Sequence, residues 1–192
     1  MRIQIPSIGV MLFLTLLFLQ LHVKAQVPAS QQQGTWTAGI SLSQYAQGLD
    51  QYSWGGPRVR LGYNIADRWT LGLNVQQRNF EGGGLLTSFS GTYIDVSARR
   101  YVISASKLSL FVEGGLGVNT SSVIRTAAGE ALVGGVNPAA RVTPGIQAQV
   151  LPWLSIEGSM DFRALYVNRA QELRTFSPGF NLGVNLHLSK RR

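Results

Sequence analysis

The sequence predicts an all-β fold: an antiparallel transmembrane β-barrel of about eight strands. Three observations carry this expectation. Apolar residues alternate with small or polar ones at period two, the alternating stretches run close to ten residues, and long connections alternate with short ones.

Before the alternation begins, residues 1–25 read as a secretory signal peptide. Arg2 precedes the apolar run Ile8 to Leu21 (IGVMLFLTLLFLQL), and Val23-Lys24-Ala25 places a small residue where a signal peptidase cuts. Fourteen residues fall short of the roughly 20 that a spanning helix needs. Residues 26–34 form a Gln-rich lead, and residues 35–192 are expected to make one barrel domain with no second domain.

The candidate strands are 35–43, 57–65, 69–79, 88–102, 108–119, 141–150, 154–166 and 178–188. The last shows the pattern most clearly. Pro178, Phe180, Leu182, Val184, Leu186 and Leu188 share one face, while Gly179, Asn181, Gly183, Asn185 and His187 share the other. In the third, Trp69, Leu71, Leu73 and Val75 oppose Thr70, Gly72, Asn74 and Gln76. Ten residues at about 3.3 Å each, tilted by some 40°, cross an apolar slab of about 25 Å. Globular strands average only about five or six residues. Two features run against the pattern. Pro144 sits inside candidate strand six, where its missing N–H breaks a ladder bond unless a bulge sits there, and Phe89 and Tyr93 give strand four a mixed parity with Asp95 and Arg99.

Connections 44–56, 120–140 and 167–177 are long, whereas Ala66-Asp67-Arg68, Ile103 to Lys107 and Leu151-Pro152-Trp153 are short. The connection around Glu81-Gly82-Gly83-Gly84 reads either as a brief loop or as the tip of two extended strands. Membrane barrels pair long outer loops with short inner turns in this way. Trp36, Tyr63, Trp69 and Trp153 then fall at the short-turn rim, where amphipathic rings favour the membrane interface, and Tyr166 marks an outer girdle.

Composition excludes several classes. With no cysteine there is no disulfide framework, thiolate metal site, Cys nucleophile or acylated lipoprotein cysteine. The formal charge is +8, and losing Arg2 and Lys24 leaves 15 basic against 9 acidic residues, a charge of +6. These cations look scattered along the chain, with no aromatic-flanked basic stripe, which argues against nucleic acid. Gly82-Gly83-Gly84 and Gly114-Gly115-Leu116-Gly117 lack the Gly-Lys-Ser/Thr ending and helix context of a phosphate loop.

Three stretches carry a family likeness: Gly62-Tyr63-Asn64-Ile65-Ala66-Asp67-Arg68-Trp69, Phe111-Val112-Glu113-Gly114-Gly115-Leu116-Gly117, and the closing strand Phe180 to Leu188. In these the chain resembles the small outer-membrane β-barrel families of Gram-negative bacteria, the OmpA-, OmpX- and OmpW-like group. The resemblance implies residence in the outer membrane, contact with its lipid, and a porin-like architecture. Such proteins commonly end in an aromatic residue, and this chain departs from that by continuing through Ser189-Lys190-Arg191-Arg192.

If the apolar face meets lipid, parity sends Arg58, Arg60, Asp95, Arg99, Glu113, Arg141, Glu157, Asp161 and Arg163 into the interior. Five arginines facing four carboxylates most simply form an ion-paired network, since an unpaired interior charge costs several kcal/mol. About eight strands enclose room only for side chains, which argues against a general diffusion pore.

Enzymatic readings are weaker. Glu157 and Asp161 share a face, but four residues along a strand separate them by about 13 Å, too far to divide acid and base work. His187 and Ser189 are superficially similar to the His/Ser chemistry of outer-membrane lipid A deacylases. They lie at the short-turn end, however, with no acidic residue evident to orient the imidazole. His22 belongs to the signal peptide, so no His-based metal cluster is available. The expectation is a non-enzyme without catalytic, cofactor-binding or metal residues.

The first functional expectation is a structural or surface-interaction protein whose loops 44–56 and 120–140 meet surface ligands. The alternatives are a narrow channel for small or apolar solutes, a soluble periplasmic ligand-binding barrel with apolar interior, and an outer-membrane lipid hydrolase. Ligand, conduction and oligomeric state stay open.

Overall fold

The computed structural model describes residues 27–46, 52–81, 86–105, 107–126, 131–133, 135–167 and 173–188. The proposed signal peptide, the tail from Ser189 and the tips of the outer hairpins lie outside them. Nine strands follow in chain order: β1 Trp36–Ala46, β2 Tyr52–Ala66, β3 Trp69–Glu81, β4 Leu86–Ser104, β5 Leu108–Thr126, β6 Ala131–Val133, β7 Val136–Leu151, β8 Leu154–Val167 and β9 Leu173–Leu188. Eight of them close a ring in which every neighbour is antiparallel, and the short β6 is an extra flap paired to β5. Closure joins the first strand to the last, from Trp36 opposite Leu188 to Tyr45 opposite Gly179. Closing the ring leaves no unpaired sheet edge, the requirement for crossing lipid with strands.

The alternation in the sequence becomes inside and outside. Ile40, Leu61, Leu73, Val96, Leu116 and Leu182 project outward and are 57%, 49%, 47%, 63%, 74% and 61% exposed. The inward positions between them are Ser41, Arg60, Asn74, Asp95, Asn181 and similar polar groups, all buried. This is the reverse of a water-soluble fold, which buries its apolar side chains. It also overturns the soluble ligand-binding barrel, whose lumen would be apolar.

Several strand limits differ from the sequence expectation. Segments 44–56, 120–140 and 167–177 are largely strand: β1 runs to Ala46 and β2 starts at Tyr52, β5 reaches Thr126, β7 starts at Val136, and β9 starts at Leu173. Ladder hydrogen bonds continue above the apolar zone, where alternation is no longer required and the sequence signal fades. At 19 residues each, β4 and β5 are far longer than a slab of about 25 Å demands. Their far ends therefore project beyond it.

The structure resolves both irregularities, the first as an interrupted ladder. Pro144 stands in β7 opposite Val112 without a bulge. Pairing between β7 and β8 pauses between Val142 opposite Phe162 and Gly145 opposite Ser159, then resumes in the same register. Missing one N–H is thus absorbed locally. From Tyr93 to Tyr101 strand β4 keeps a single parity: Tyr93, Asp95, Arg99 and Tyr101 are all buried, because the lumen uses aromatic rings as well as charges, and the parity switches only at the register shift between Tyr101 and Ile103, beyond which Ser104 is buried. The side chain of Phe89 lies outside the described residues. A true bulge occurs between β1 and β2 at Ser43/Gln44, where Gly56 adopts φ 72 and a Cβ would stand 2.3 Å from the carbonyl oxygen of Gln77.

Trp36 and Tyr63 stack at the short-turn rim with ring centroids 4.8 Å apart. Trp69 and Trp153 lie at the same end, exposed on the outer surface. The inner girdle is present as expected, whereas the side chain of Tyr166 lies outside the described residues.

Candidate functional site

The lumen is the concentrated chemistry of this fold. All nine ionisable residues assigned inward by parity are buried there. Glu113 on β5 occupies a central position: Arg99 Nε donates to it at 2.6 Å, Arg141 Nη2 donates to its other oxygen, and Arg60 Nη2 stands 3.3 Å away. Arg99 on β4 also reaches Glu157 on β8, with Nη1 at 2.7 Å and Nη2 at 3.4 Å. Asn185 adds an Nδ2 hydrogen bond of 2.9 Å to Glu157. One guanidinium therefore bridges two carboxylates from strands that are not neighbours in the ring, β5 and β8, satisfying the forked geometry that favours Arg over Lys.

A second tier lies towards the long hairpins. Arg141 forms a two-pronged contact with Asp95, at 2.9 Å and 3.0 Å, and Asn74 Nδ2 donates to the same carboxylate at 2.9 Å. Arg163 Nη2 donates to Asp161 at 2.9 Å and to Gln76 Oε1 at 2.8 Å, while Thr143 Oγ1 donates to Asp161 at 2.5 Å. Arg58 stands between the tiers, 4.0 Å from Glu157 and 3.8 Å from Asp161. Two aromatic faces complete the packing: Arg99 Cζ lies 3.7 Å from the Phe111 centroid and Arg163 Cζ 3.9 Å from that of Tyr93.

Small residues make room for these long side chains. A Cβ on Gly115 would stand 2.8 Å from Asp95 Oδ1 and 3.0 Å from Arg141 Nε. One on Gly145 would stand 2.3 Å from Phe111 Cζ. Glycine is needed at these two positions because the space of a side chain is already taken.

Beneath the charges the lumen turns neutral. His187 places Nδ1 3.2 Å from Thr37 Oγ1 and Nε2 2.8 Å from Ser155 Oγ. The hydroxyl beside the imidazole is thus that of Ser155, and Ser189, paired with it on sequence grounds, lies outside the described residues. Glu157 and Asp161 are held by arginines, amide and hydroxyl groups, the arrangement of a structural network.

The feature sequence reasoning missed is the Gln-rich lead. It folds across the short-turn mouth as a lid containing a single 3-10 turn, Ala29–Gln31. Gln31 is buried; its Nε2 donates to Ser109 Oγ at 2.6 Å, and Ser104 Oγ donates to its Oε1 at 2.6 Å. Its carbonyl accepts from the Arg68 N–H at 3.0 Å, and Asn64 Nδ2 donates to the carbonyls of Ser30 and Gln32, each at 3.0 Å. The lid is thereby tied to the β2–β3 turn on one side and the β4–β5 turn on the other. A polar segment directly before the first strand was the available signal.

No family model matches this chain, and no curated protein does. Solved structures do match. The N-terminal β-barrel domain of Pseudomonas aeruginosa OprF aligns over 82% of this chain and 100% of its own, with TM-score 0.60 and 15% identity. Outer membrane protein H (OprH) of P. aeruginosa aligns over 81% and 99%, with TM-score 0.55 and 15% identity. Ail, the attachment invasion locus protein of Yersinia pestis, in complex with the heparin analogue sucrose octasulfate, aligns over 82% and 100%, with TM-score 0.51 and 17% identity. The chain has the fold of the small outer-membrane β-barrels. At these identities the likeness is one of fold, and the inside-out polarity supplies the physical reason for the location: an outer-membrane barrel keeps its apolar band in lipid. The lumen of the barrel is occupied by ion-paired side chains.

Proposed function

We propose that the chain is a non-enzymatic, non-conducting integral outer-membrane protein with a structural or surface-interaction role. One observation carries this reading: the lumen holds a buried network of five arginines and four carboxylates and is covered at the short-turn mouth by the Gln31 lid. Conducting ions would require breaking several charge-assisted contacts between buried side chains. What remains available for recognition is the outer hairpins, across 44–56 and 120–140, carried on a rigid scaffold. A barrel of this fold, Ail, has a structure in complex with the heparin analogue sucrose octasulfate, which supports ligand binding as a use of such a scaffold. Export is proposed to proceed by the Sec route with removal of residues 1–25.

The test has two parts. Outer-membrane fractions run unboiled and boiled on a gel should give a heat-shifted band, and the purified barrel should be silent in planar bilayers. Steady single-channel conductance would replace this reading with the narrow channel. An intact-mass measurement starting at Gln26 checks the cleavage.

A further inference from the structure

The carboxylates of the lumen are not shared evenly among its cations. Among the described residues the buried ionisable side chains there are five arginines and four carboxylates, so one positive charge is left over. The contacts place that surplus on Arg60. Arg99 and Arg141 each donate directly to two carboxylates, and Arg163 donates to Asp161 and Gln76. Arg58 donates from Nε to Ser41 Oγ at 3.2 Å and has two carboxylates within 4.0 Å. Arg60 has a single ion-pair partner among the described residues, Glu113 at 3.3 Å from Nη2, and Arg99 and Arg141 already hold that carboxylate at shorter range. Nε, Nη1 and Nη2 of Arg60 make no hydrogen bond within the described structure, although the residue is only 4% exposed. A guanidinium cannot shed its proton, and a buried charge with unsatisfied donors costs more than a neutral group in the same state.

The side chain of Arg60 leans from its own Cα towards the short-turn mouth, over two glycines. A Cβ on Gly62 would stand 3.7 Å from Nη2, and one on Gly72 would stand 3.4 Å from Nε. The same point at Gly72 is 3.0 Å from Ser97 Oγ, an oxygen that accepts from Asn74 Nδ2 at 2.9 Å and keeps its own O–H to give. Two donors, Arg60 Nε–H and Ser97 O–H, thus border the bare wall at Gly72. Between Arg60 and the Gln31 lid, the described buried side chains include Thr37, Asn64, Thr70, Tyr101 and Ser155, and no carboxylate that would repel an anion.

We propose that the lumen holds one occluded chloride ion against the Arg60 guanidinium, with Ser97 as a second donor. A single negative charge balances the surplus, whereas a divalent oxyanion would reverse it. Eight strands filled with side chains leave room only for a small ion. The Gln31 lid then closes the route by which the ion would leave. The inference rests on the closed-lumen reading above, which the planar-bilayer measurement tests separately.

The experiment follows urea unfolding of the full chain in lipid vesicles at fixed ionic strength, while gluconate, too bulky for such a lumen, is exchanged for chloride. An anion bound only by the folded barrel raises the folding equilibrium constant about tenfold for each tenfold rise in chloride above its dissociation constant. That dependence is expected for the unaltered chain and should disappear in Arg60→Gln, with folding checked by the heat-shifted band. Crystals grown in bromide should show an anomalous scattering peak within hydrogen-bond reach of the Arg60 guanidinium, and this peak decides the matter if R60Q does not fold. Indifference to chloride, a dependence that survives R60Q, or no bromide at Arg60 overturns the proposal while leaving a silent, closed barrel standing. Steady conductance strikes the closed lumen instead.

Discussion

Arg99 and Glu157, 58 residues apart in the chain, meet across the lumen through guanidinium–carboxylate contacts of 2.7 Å and 3.4 Å, while the same guanidinium holds Glu113 at 2.6 Å. Both partners are buried, so removing one leaves the other in a low-dielectric space with fewer donors. Arg99→Met should destabilise the barrel by about 3–5 kcal/mol in urea unfolding from lipid vesicles. Adding Glu157→Met to that variant should cost less than the sum of the two single changes, and a double-mutant cycle measures the difference.

Gly145 and Phe111 test the packing beneath Arg99. The Cβ of Gly145→Ala would stand 2.3 Å from Phe111 Cζ and 2.7 Å from Ser159 Cβ, and the phenyl ring is itself wedged under a guanidinium. The expected loss is about 1–3 kcal/mol, as for other overpacked sites. Phe111→Leu in the same chain should recover part of it, read as a shift of the urea midpoint.

Leu182 tests the outward face. It is 61% exposed near the middle of the apolar column of β9. Leu182→Arg should cost about 2–4 kcal/mol in lipid, as charged substitutions at the midplane of a membrane barrel do. A surface substitution on a water-soluble protein stays within about 0.5 kcal/mol, so the unfolding free energy separates the two environments.

The lid can be loosened separately from the barrel. Gln31→Ala removes the acceptor of Ser104 and the donor to Ser109. Leaving those buried hydroxyls without the amide should weaken lid closure by about 1–3 kcal/mol. Hydrogen exchange at the Arg68 N–H, which donates to the Gln31 carbonyl, should accelerate while protection of the strand amides is retained. Conductance should stay absent, because the arginine–carboxylate tiers still fill the lumen above.

Period-two alternation was sufficient to read the strands of the apolar zone and to send Arg58, Arg60, Asp95, Arg99, Glu113, Arg141, Glu157, Asp161 and Arg163 inside, all of which are buried. The reason is geometric: successive side chains on a strand point to opposite faces, and lipid tolerates only one kind on its side. Above that zone the constraint disappears, so the strand within 120–140 was not legible. Nor were two relationships that depend on residues distant in sequence. Which carboxylate Arg99 meets is set by the register in which eight strands close. Gln31 becomes a lid because that closure brings the β2–β3 and β4–β5 turns around one mouth.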